Sequence, residues 1–207
     1  MARSKRVWYP GALYHVMSRG IRKSKIFQEH GDYLFFLKML CRVKEKHPFR
    51  LHAICLMTNH FHLALETEDT ALWIIMRDLL SLYAGGFNSM HDCTGHLFEG
   101  RYTSKLIEDE RYFLAVSRYI HLNPVKAQIV KTALDYEYSS YGLFVNKNLK
   151  TPESSVHEIM SGLVDTSRVH ELFLPNPQEQ YRMFVEENRP DDEEEKQIQK
   201  DIKEEGA

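Results

Sequence analysis

The run CLMTNHFHLALE at residues 55–66 decides the fold, because it predicts two strands joined by a tight turn at residues 58–59. The second strand begins with His60, Phe61 and His62, and strand side chains alternate between the two faces of a sheet. His60 and His62 therefore point to one face, while Phe61 points to the other face and anchors the strand in the core. Two imidazoles on one face can hold one divalent metal ion. The alternative is a pair of surface histidines on a half-buried strand.

The spacing of apolar residues predicts strands and helices on both sides of this hairpin. Besides the two hairpin strands, the predicted strands are 13–18 and 98–107, and the predicted helices are 28–46, 71–91 and 109–123. The order strand, helix, strand, strand, helix, strand, helix is that of the split βαβ arrangement. We therefore expect an α+β fold with a ferredoxin-like antiparallel sheet, the histidine strand at its centre and helices packed on one face.

The predicted helix at residues 109–123 places a phenol beside a carboxamide. Tyr119 and Asn123 are four residues apart, so they lie on one helix face, one turn from each other. A phenol can act as a nucleophile and a carboxamide oxygen can bind a hard divalent ion; the alternative for Tyr119 is a core tyrosine. Pro124 is expected to end the helix. Tyr112, two turns earlier, is the rival nucleophile, but it has no polar ligand one turn further on.

Together these features resemble the small single-tyrosine HUH transposases of insertion sequences, and most of all their relatives associated with repetitive extragenic palindromes (REP). The motifs that carry the resemblance are YHVMSRG at 14–20, MTNHFHL at 57–63, LFEGRY at 97–102, RYIHLNPVKA at 118–127 and YSSY at 138–141. The similarity extends more weakly to about residue 187. The one departure is Thr58, which precedes the histidines and stands where this family most often has proline.

The resemblance implies an enzyme that cleaves and rejoins DNA at hairpin-forming palindromes, with single-stranded or hairpin DNA as its partner. It implies that Tyr119 attacks the scissile phosphate, forms a 5′-phosphotyrosine and releases a 3′-hydroxyl. His60, His62 and Asn123 would hold a divalent ion, and their mixed nitrogen and oxygen atoms fit Mn²⁺ at least as well as Mg²⁺. Zn²⁺ is the competing ion. Family members differ in oligomeric state, so either a monomer or a homodimer is expected.

Two other functions remain open at this point. One is a domesticated protein that binds hairpin DNA without cutting it. The other is a metal-dependent phosphoesterase in which water, rather than tyrosine, attacks. The intact set of two histidines, tyrosine and asparagine favours the transposase over the binding protein. A covalent protein–DNA adduct would separate the transposase from the phosphoesterase.

Basic and aromatic residues near the predicted strand ends are candidates for DNA contact. Arg19, Arg101 and Lys105 are candidate phosphate contacts, since cations on such a surface neutralise backbone phosphates; each would otherwise be a solvated surface charge. Aromatic side chains that either stack on unpaired bases or pack in the core are Trp8, Tyr9 and Tyr102.

Length and composition indicate how many domains the chain forms and where in the cell it is expected. The chain has 207 residues, which predicts one domain or one domain plus an appendage, and 43% of them are hydrophobic, enough to form a core. Its three cysteines show no metal-binding spacing, which favours reduced thiols and a cytoplasmic location. The resemblance places that cytoplasm in bacteria, with the protein at the nucleoid when it is bound to DNA. The sequence contains no apolar run long enough to suggest a membrane span.

Charge divides the chain into a basic and an acidic part. Residues 1–150 contain 21 Lys and Arg against 14 Asp and Glu, whereas residues 151–207 contain 6 against 15. With the family resemblance, this predicts a catalytic domain at 1–146, a helical extension at 147–187 and an acidic disordered tail at 188–207. Residues 197–205 have the composition of a marginal helix. Self-inhibition of the enzyme by an acidic mimic of DNA is the alternative role for this tail.

Overall fold

The computed structural model describes residues 7–145, 155–187 and 193–205, which form an antiparallel sheet with helices packed against it. The strands are β1 (Leu13–Arg19), β2 (Phe49–Met57), β3 (His60–Thr67) and β4 (Thr103–Leu106). The helices are α1 (His30–Lys46), α2 (Leu72–Met90), α3 (Glu110–Lys126), α4 (Tyr141–Val145), α5 (Ser155–Leu163), α6 (Ser167–Glu171), α7 (Pro177–Glu186) and α8 (Glu193–Glu205). The predicted loop from residue 147 and the basic residues 1–6 lie outside the described residues.

The four strands follow the order β2-β3-β1-β4, and each neighbouring pair is antiparallel. The predicted α+β fold with an antiparallel sheet is therefore confirmed. Strand β3, which carries the histidines, lies at the centre between β2 and β1. The hairpin forms as expected, with Met57 of β2 opposite His60 of β3. Because both neighbours of β3 pair with it along its length, the backbone positions of the two histidines are well fixed.

One face of the sheet packs against α1 and α2. Phe61 and Leu63 of β3 belong to this core, and the Phe61 ring lies 4.9 Å from the ring of Phe36 in α1. The two helices approach each other closely at Gly86 in α2, where a Cβ atom would lie 2.2 Å from the ring of Phe35. Glycine at this position therefore reflects the close packing of α2 on α1.

The opposite face of the sheet packs against α3, which differs from the expectation that helices cover one face only. Ala53, Cys55 and Met57 of β2 form a second core with Phe113 and Val116 of α3. The reason lies in β2, whose residues are apolar on both faces, so that both faces must be buried away from water. His60 and His62 project to this second face, which places them under α3.

Two element boundaries differ from the prediction. Strand β4 covers only Thr103–Leu106 of the predicted 98–107, and Phe98 makes a single bridge to Gly20 instead. Helix α3 continues through Pro124 to Lys126. Pro124 has no N–H to donate, but the Asn123 carbonyl just before it still accepts from the Ala127 N–H, so the helical hydrogen bonding continues past the proline.

The acidic tail was expected to be disordered, and its described part is instead a helix. Residues 193–205 form α8, which packs on α3 and β4 with Ile198 fully buried. Average composition misses this helix, because partners elsewhere in the chain stabilise it. The acidic residues 188–192 lie outside the described residues. None of the described helices is both long and apolar enough to cross a membrane.

Candidate active site

Two histidines of β3 form the floor of the candidate site. The ring centroids of His60 and His62 are 5.0 Å apart, on the same face of the strand as the sequence predicts. His60 is half-buried, whereas His62 is 2% exposed. Burial lowers the pKa of both imidazoles, and the neighbouring histidines lower that of His62 further. Both rings are therefore neutral near pH 7, as metal ligation requires.

Helix α3 places Tyr119 and Asn123 above these histidines. The helix begins after Asp109, whose carboxylate accepts the Tyr112 N–H as an N-terminal cap. The Tyr119 ring meets the His62 ring edge-on, with a centroid distance of 5.5 Å. One turn further on, the Asn123 Oδ1 atom lies 3.4 Å from Nε2 of His60. The predicted phenol, carboxamide and imidazoles thus meet in one place.

The donor atoms around His60 fit a divalent cation. Asn59 Oδ1 lies 2.6 Å from His60 Nδ1 and accepts its proton, so Nε2 carries the lone pair. Nε2 therefore faces another acceptor, Asn123 Oδ1, at 3.4 Å. Adjacent ligands of an octahedral Mg²⁺ or Mn²⁺ ion are about 3 Å apart, since the ion–ligand bonds are about 2.1 Å. An ion between the two acceptors satisfies both, and this donor set also suits Zn²⁺.

A second group of potential metal ligands lies where α1 begins and α2 ends. Single atoms of Glu29, Asp32 and His91 lie within 4.8 Å of one another. Asp32 is already engaged there, because its Oδ2 atom accepts the backbone N–H groups of Gln28 and Glu29. Its other oxygen lies 2.7 Å from Nε2 of His91. Helix capping accounts for this cluster, and none of its members was predicted as a site residue.

The surroundings of Tyr119 oppose loss of its proton. Burial raises the pKa of the Tyr119 hydroxyl, Asn123 lowers it by hydrogen bonding, and the negative charge of Glu195 in α8 raises it. Lys126 lies over the ring, with Nζ 5.6 Å from the centroid, but it is also paired with Glu195. The phenol is therefore protonated near pH 7 in this conformation, with an acidic helix beside it.

The rival tyrosine occupies a different environment. The Tyr112 hydroxyl donates to Asp201 of α8 at 2.8 Å, on the side of α3 that α8 covers. His121, a histidine of the same helix, is fully buried between Tyr181 and Ser140, with ring nitrogens 2.8 and 2.9 Å from their hydroxyl oxygens. The structure therefore brings Tyr119, rather than Tyr112, to the β3 histidines.

The three predicted phosphate contacts lie in different surroundings. Arg19 ends β1 directly opposite His60 and pairs with Glu99 at 2.6 Å. Lys105 of β4 is opposite His15 in the sheet and 3.4 Å from Asp201. Arg101 is exposed in the loop before β4.

The candidate base-stacking residues differ in their exposure to solvent. Trp8 and Tyr9 are exposed, whereas Tyr102 is buried in the core beneath α1 and α2. Packing therefore accounts for Tyr102.

Three residues near the site were not identified from the sequence. Asn59 and His15 contact the Nδ1 atoms of the two histidines, and Lys126 lies over Tyr119. All three fall within or beside the motifs quoted above. The signal that would have found His15 is its place on β1, the strand that pairs with β3.

A comparison with models of known protein families found one match that covers the candidate site. Residues 9–123 match the model of the family described as IS200-like transposases, a span that includes both histidines, Tyr119 and Asn123. A search of curated proteins found no match.

Solved structures provide a second comparison. The fold is similar to that of a REP-associated tyrosine transposase solved with a REP hairpin, with 19% identity and a TM-score of 0.62. That match covers 75% of this chain and 92% of the other. A protein from Deinococcus radiodurans R1, described as a candidate transposase, matches at 17% identity and a TM-score of 0.41, covering 57% and 95%. Since the family model spans more than half of the sequence, this chain belongs to the IS200-like transposase family.

Proposed function

We propose that this transposase cleaves and rejoins single-stranded DNA at hairpin-forming palindromes, with Tyr119 as the nucleophile. The observation that carries the proposal is the convergence of Tyr119 and Asn123 of α3 on His60 and His62 of β3 within a single chain. The similar transposase solved with a REP hairpin supports hairpin DNA as the partner. Arg19 and Lys105 supply positive charge near the same centre.

In the proposed reaction, the Tyr119 oxygen attacks the scissile phosphorus in line with the leaving oxygen. A bond forms between the Tyr119 oxygen and the phosphorus while the bond from phosphorus to the 3′-oxygen breaks. The phenol loses its proton and the departing 3′-oxygen gains one, so that it leaves as a hydroxyl and the protons balance. A divalent cation held by His60, His62 and Asn123 would neutralise charge on the phosphate oxygens. Asn123 also orients the Tyr119 hydroxyl.

The resulting phosphotyrosine keeps the energy of the phosphodiester. A 3′-hydroxyl from a second strand can therefore attack it and reverse the bond change, so that strand transfer requires no nucleotide hydrolysis. Positioning and electrostatics, rather than acid–base chemistry by a strong base, would supply most of the rate enhancement.

The test is covalent trapping on hairpin DNA taken from the sequences that flank the gene. We expect wild type with Mn²⁺ to form an SDS-stable protein–DNA adduct, and Tyr119→Phe to form none while it binds the hairpin within a few-fold of wild type. Tyr112→Phe is the matched control and should still form the adduct. An adduct that persists in Tyr119→Phe and disappears in Tyr112→Phe would overturn the assignment.

The same assay separates the two alternatives. Cleavage without any adduct would indicate attack by water, as in a phosphoesterase. Hairpin binding with neither cleavage nor adduct would indicate a binding protein. Cleavage should stop in EDTA and return with Mn²⁺ or Mg²⁺, and undiminished cleavage by a His60→Ala, His62→Ala double variant in EDTA would refute the metal site.

A further inference from the structure

A third histidine, His15 of β1, contacts His62, the buried histidine of the candidate site. Its Nε2 atom lies 3.0 Å from Nδ1 of His62, and the two rings stack with centroids 5.2 Å apart and planes 26° apart. His15 is 4% exposed, and its ring also meets the Tyr119 ring edge-on at 5.8 Å. This contact is as short as an ordinary hydrogen bond, and it is buried.

One proton must lie between these two nitrogens, and its position decides which nitrogen of His62 is free. A neutral imidazole has one N–H and one lone pair. If His62 donates through Nδ1, its Nε2 atom has the lone pair and can bind a metal ion. If His15 donates instead, His62 has its proton on Nε2 and cannot bind an ion there.

The neighbouring histidine, whose tautomer its partner fixes, favours one of these two arrangements. The carboxamide oxygen of Asn59 can only accept, so His60 must donate to it through Nδ1, which leaves Nε2 toward Asn123. His62 makes the equivalent contact through the same atom, Nδ1, with His15 as its partner. Both histidines are thus held by Nδ1, which leaves Nε2 as their common ligand atom.

We propose that His15 is a positioning residue that accepts the Nδ1 proton of His62 and so keeps its Nε2 atom available for the metal ion. The inference rests on the proposed metal site at His60, His62 and Asn123. Partners of this kind fix the tautomer and the ring orientation of ligating histidines, and losing one typically weakens metal binding about 10- to 100-fold. His15 itself is not a ligand in this arrangement, because its Nε2 atom is engaged with His62.

The test compares two substitutions that differ in one property. His15→Gln places an amide oxygen close to the position of Nε2 and keeps an acceptor, whereas His15→Leu fills a similar volume without one. We expect Mn²⁺ affinity, measured by electron paramagnetic resonance on the full chain, to fall about 10- to 100-fold in His15→Leu. His15→Gln should restore most of that affinity, and saturating Mn²⁺ should restore most adduct formation to His15→Leu.

A spectroscopic readout makes the test independent of metal binding. In wild type without metal, ¹⁵N NMR of the histidine rings should show the His62 proton on Nδ1. His15→Leu should move a substantial share of it to Nε2. A wild-type His62 with its proton on Nε2 would overturn the proposal, as would unchanged Mn²⁺ affinity in a folded His15→Leu. If urea titrations show that His15→Leu does not fold, the position of the His62 ring proton in wild type still tests the proposal.

His60→Ala separates this inference from the proposed function. If His60→Ala loses Mn²⁺ and His15→Leu does not, the metal site stands and the role of His15 is wrong. If His60→Ala binds Mn²⁺ as wild type does, the metal site is wrong and the role of His15 in supporting a ligand falls with it, whichever nitrogen of His62 carries the proton. If His15→Leu and His15→Gln both lose Mn²⁺ as completely as His60→Ala, then His15 is a ligand rather than a positioning residue.

Discussion

Two helices near the C-terminus, α7 and α8, both pack on the tyrosine helix α3, and they are held there by different forces. Helix α7 contributes Tyr181 and Val185, both fully buried in the second core. The Tyr181 hydroxyl lies within hydrogen-bonding distance of Ser117 and His121 of α3. Apolar burial and buried hydrogen bonds respond weakly to salt, so we expect α7 to stay packed on α3 as the salt concentration rises.

Helix α8 is held mainly by charge. Its ion pairs join Arg111 to Glu194, Lys126 to Glu195 and Lys105 to Asp201, while Ile198 is its fully buried apolar side chain. The carboxylates of Glu195 and Asp201 are 18% and 6% exposed, and the attraction between the paired charges weakens as salt screens it.

The comparison shows that the kind of contact a helix makes with α3, rather than its position along the chain, determines its role. Helix α8 pairs with Lys126 of α3, the helix that carries Tyr119 and Asn123, and with Lys105 of β4, which lies opposite His15. Phosphates would compete for the same two cations. Helix α7, by contrast, holds Arg118 of α3 through the backbone carbonyl oxygens of Phe184 and Glu187, and this guanidinium is buried rather than open to DNA. We therefore expect α7 to determine stability and α8 to determine the affinity for DNA.

The largest expected effect is on stability, from Tyr181→Ala. Removing a fully buried ring leaves a cavity and takes away the partner of His121, so the free energy of unfolding should fall by about 3–5 kcal/mol. Met183→Ala, on the same helix but 67% exposed, is the matched control and should change it by less than about 0.5 kcal/mol. Urea unfolding measures both, and similar values for the two would show that α7 is not part of the core.

The second prediction concerns DNA affinity and α8. We expect the triple variant Glu194→Gln, Glu195→Gln, Asp201→Asn to keep the wild-type fold and to bind hairpin DNA more tightly at low salt. Three freed cations would steepen the slope of log affinity against log salt by about 2. The gain in hairpin affinity over wild type should therefore shrink as the salt concentration rises. A chain that ends at residue 187 should behave in the same way.

A control with the same change in net charge distinguishes displacement of α8 from general attraction. It removes three exposed carboxylates on other helices: Glu158→Gln, Glu171→Gln and Glu179→Gln. Equal gains in affinity for the two triple variants would mean that net charge alone matters. Unchanged affinity at every salt concentration would mean that α8 does not compete with DNA.

The sequence predicts those features of the site that depend on local geometry. Alternation along β3 places His60 and His62 on one face, and helical spacing places Tyr119 and Asn123 together; both hold in the structure. Residue spacing did not predict that the two pairs lie close together in space. That expectation came from the resemblance to a family. Long-range pairing of elements leaves little trace in the periodicity of one segment.

The features that sequence reasoning missed depend on partners distant along the chain. The contact of His15 with His62 requires the register of β1 against β3, which a shift of one residue would destroy. Helix cover on the second face follows from apolar residues on both faces of β2. Helix α8 was assigned to disorder from its average charge, but stability here comes from tertiary pairs.

The last prediction concerns one carboxylate of α8 beside the nucleophile. Burial and the charge of Glu195 both raise the pKa of the Tyr119 hydroxyl, so Glu195→Gln should lower it. A lower pKa means more phenolate at a given pH, so the rise of adduct formation with pH should shift to lower pH. Glu193→Gln is the matched control, because the Glu193 side chain is 79% exposed and pairs with Lys196 within α8. Single-turnover adduct rates across a pH series measure the shift. An equal shift in both variants would assign it to net charge, whereas an unchanged profile in Glu195→Gln would show that this carboxylate does not act on Tyr119.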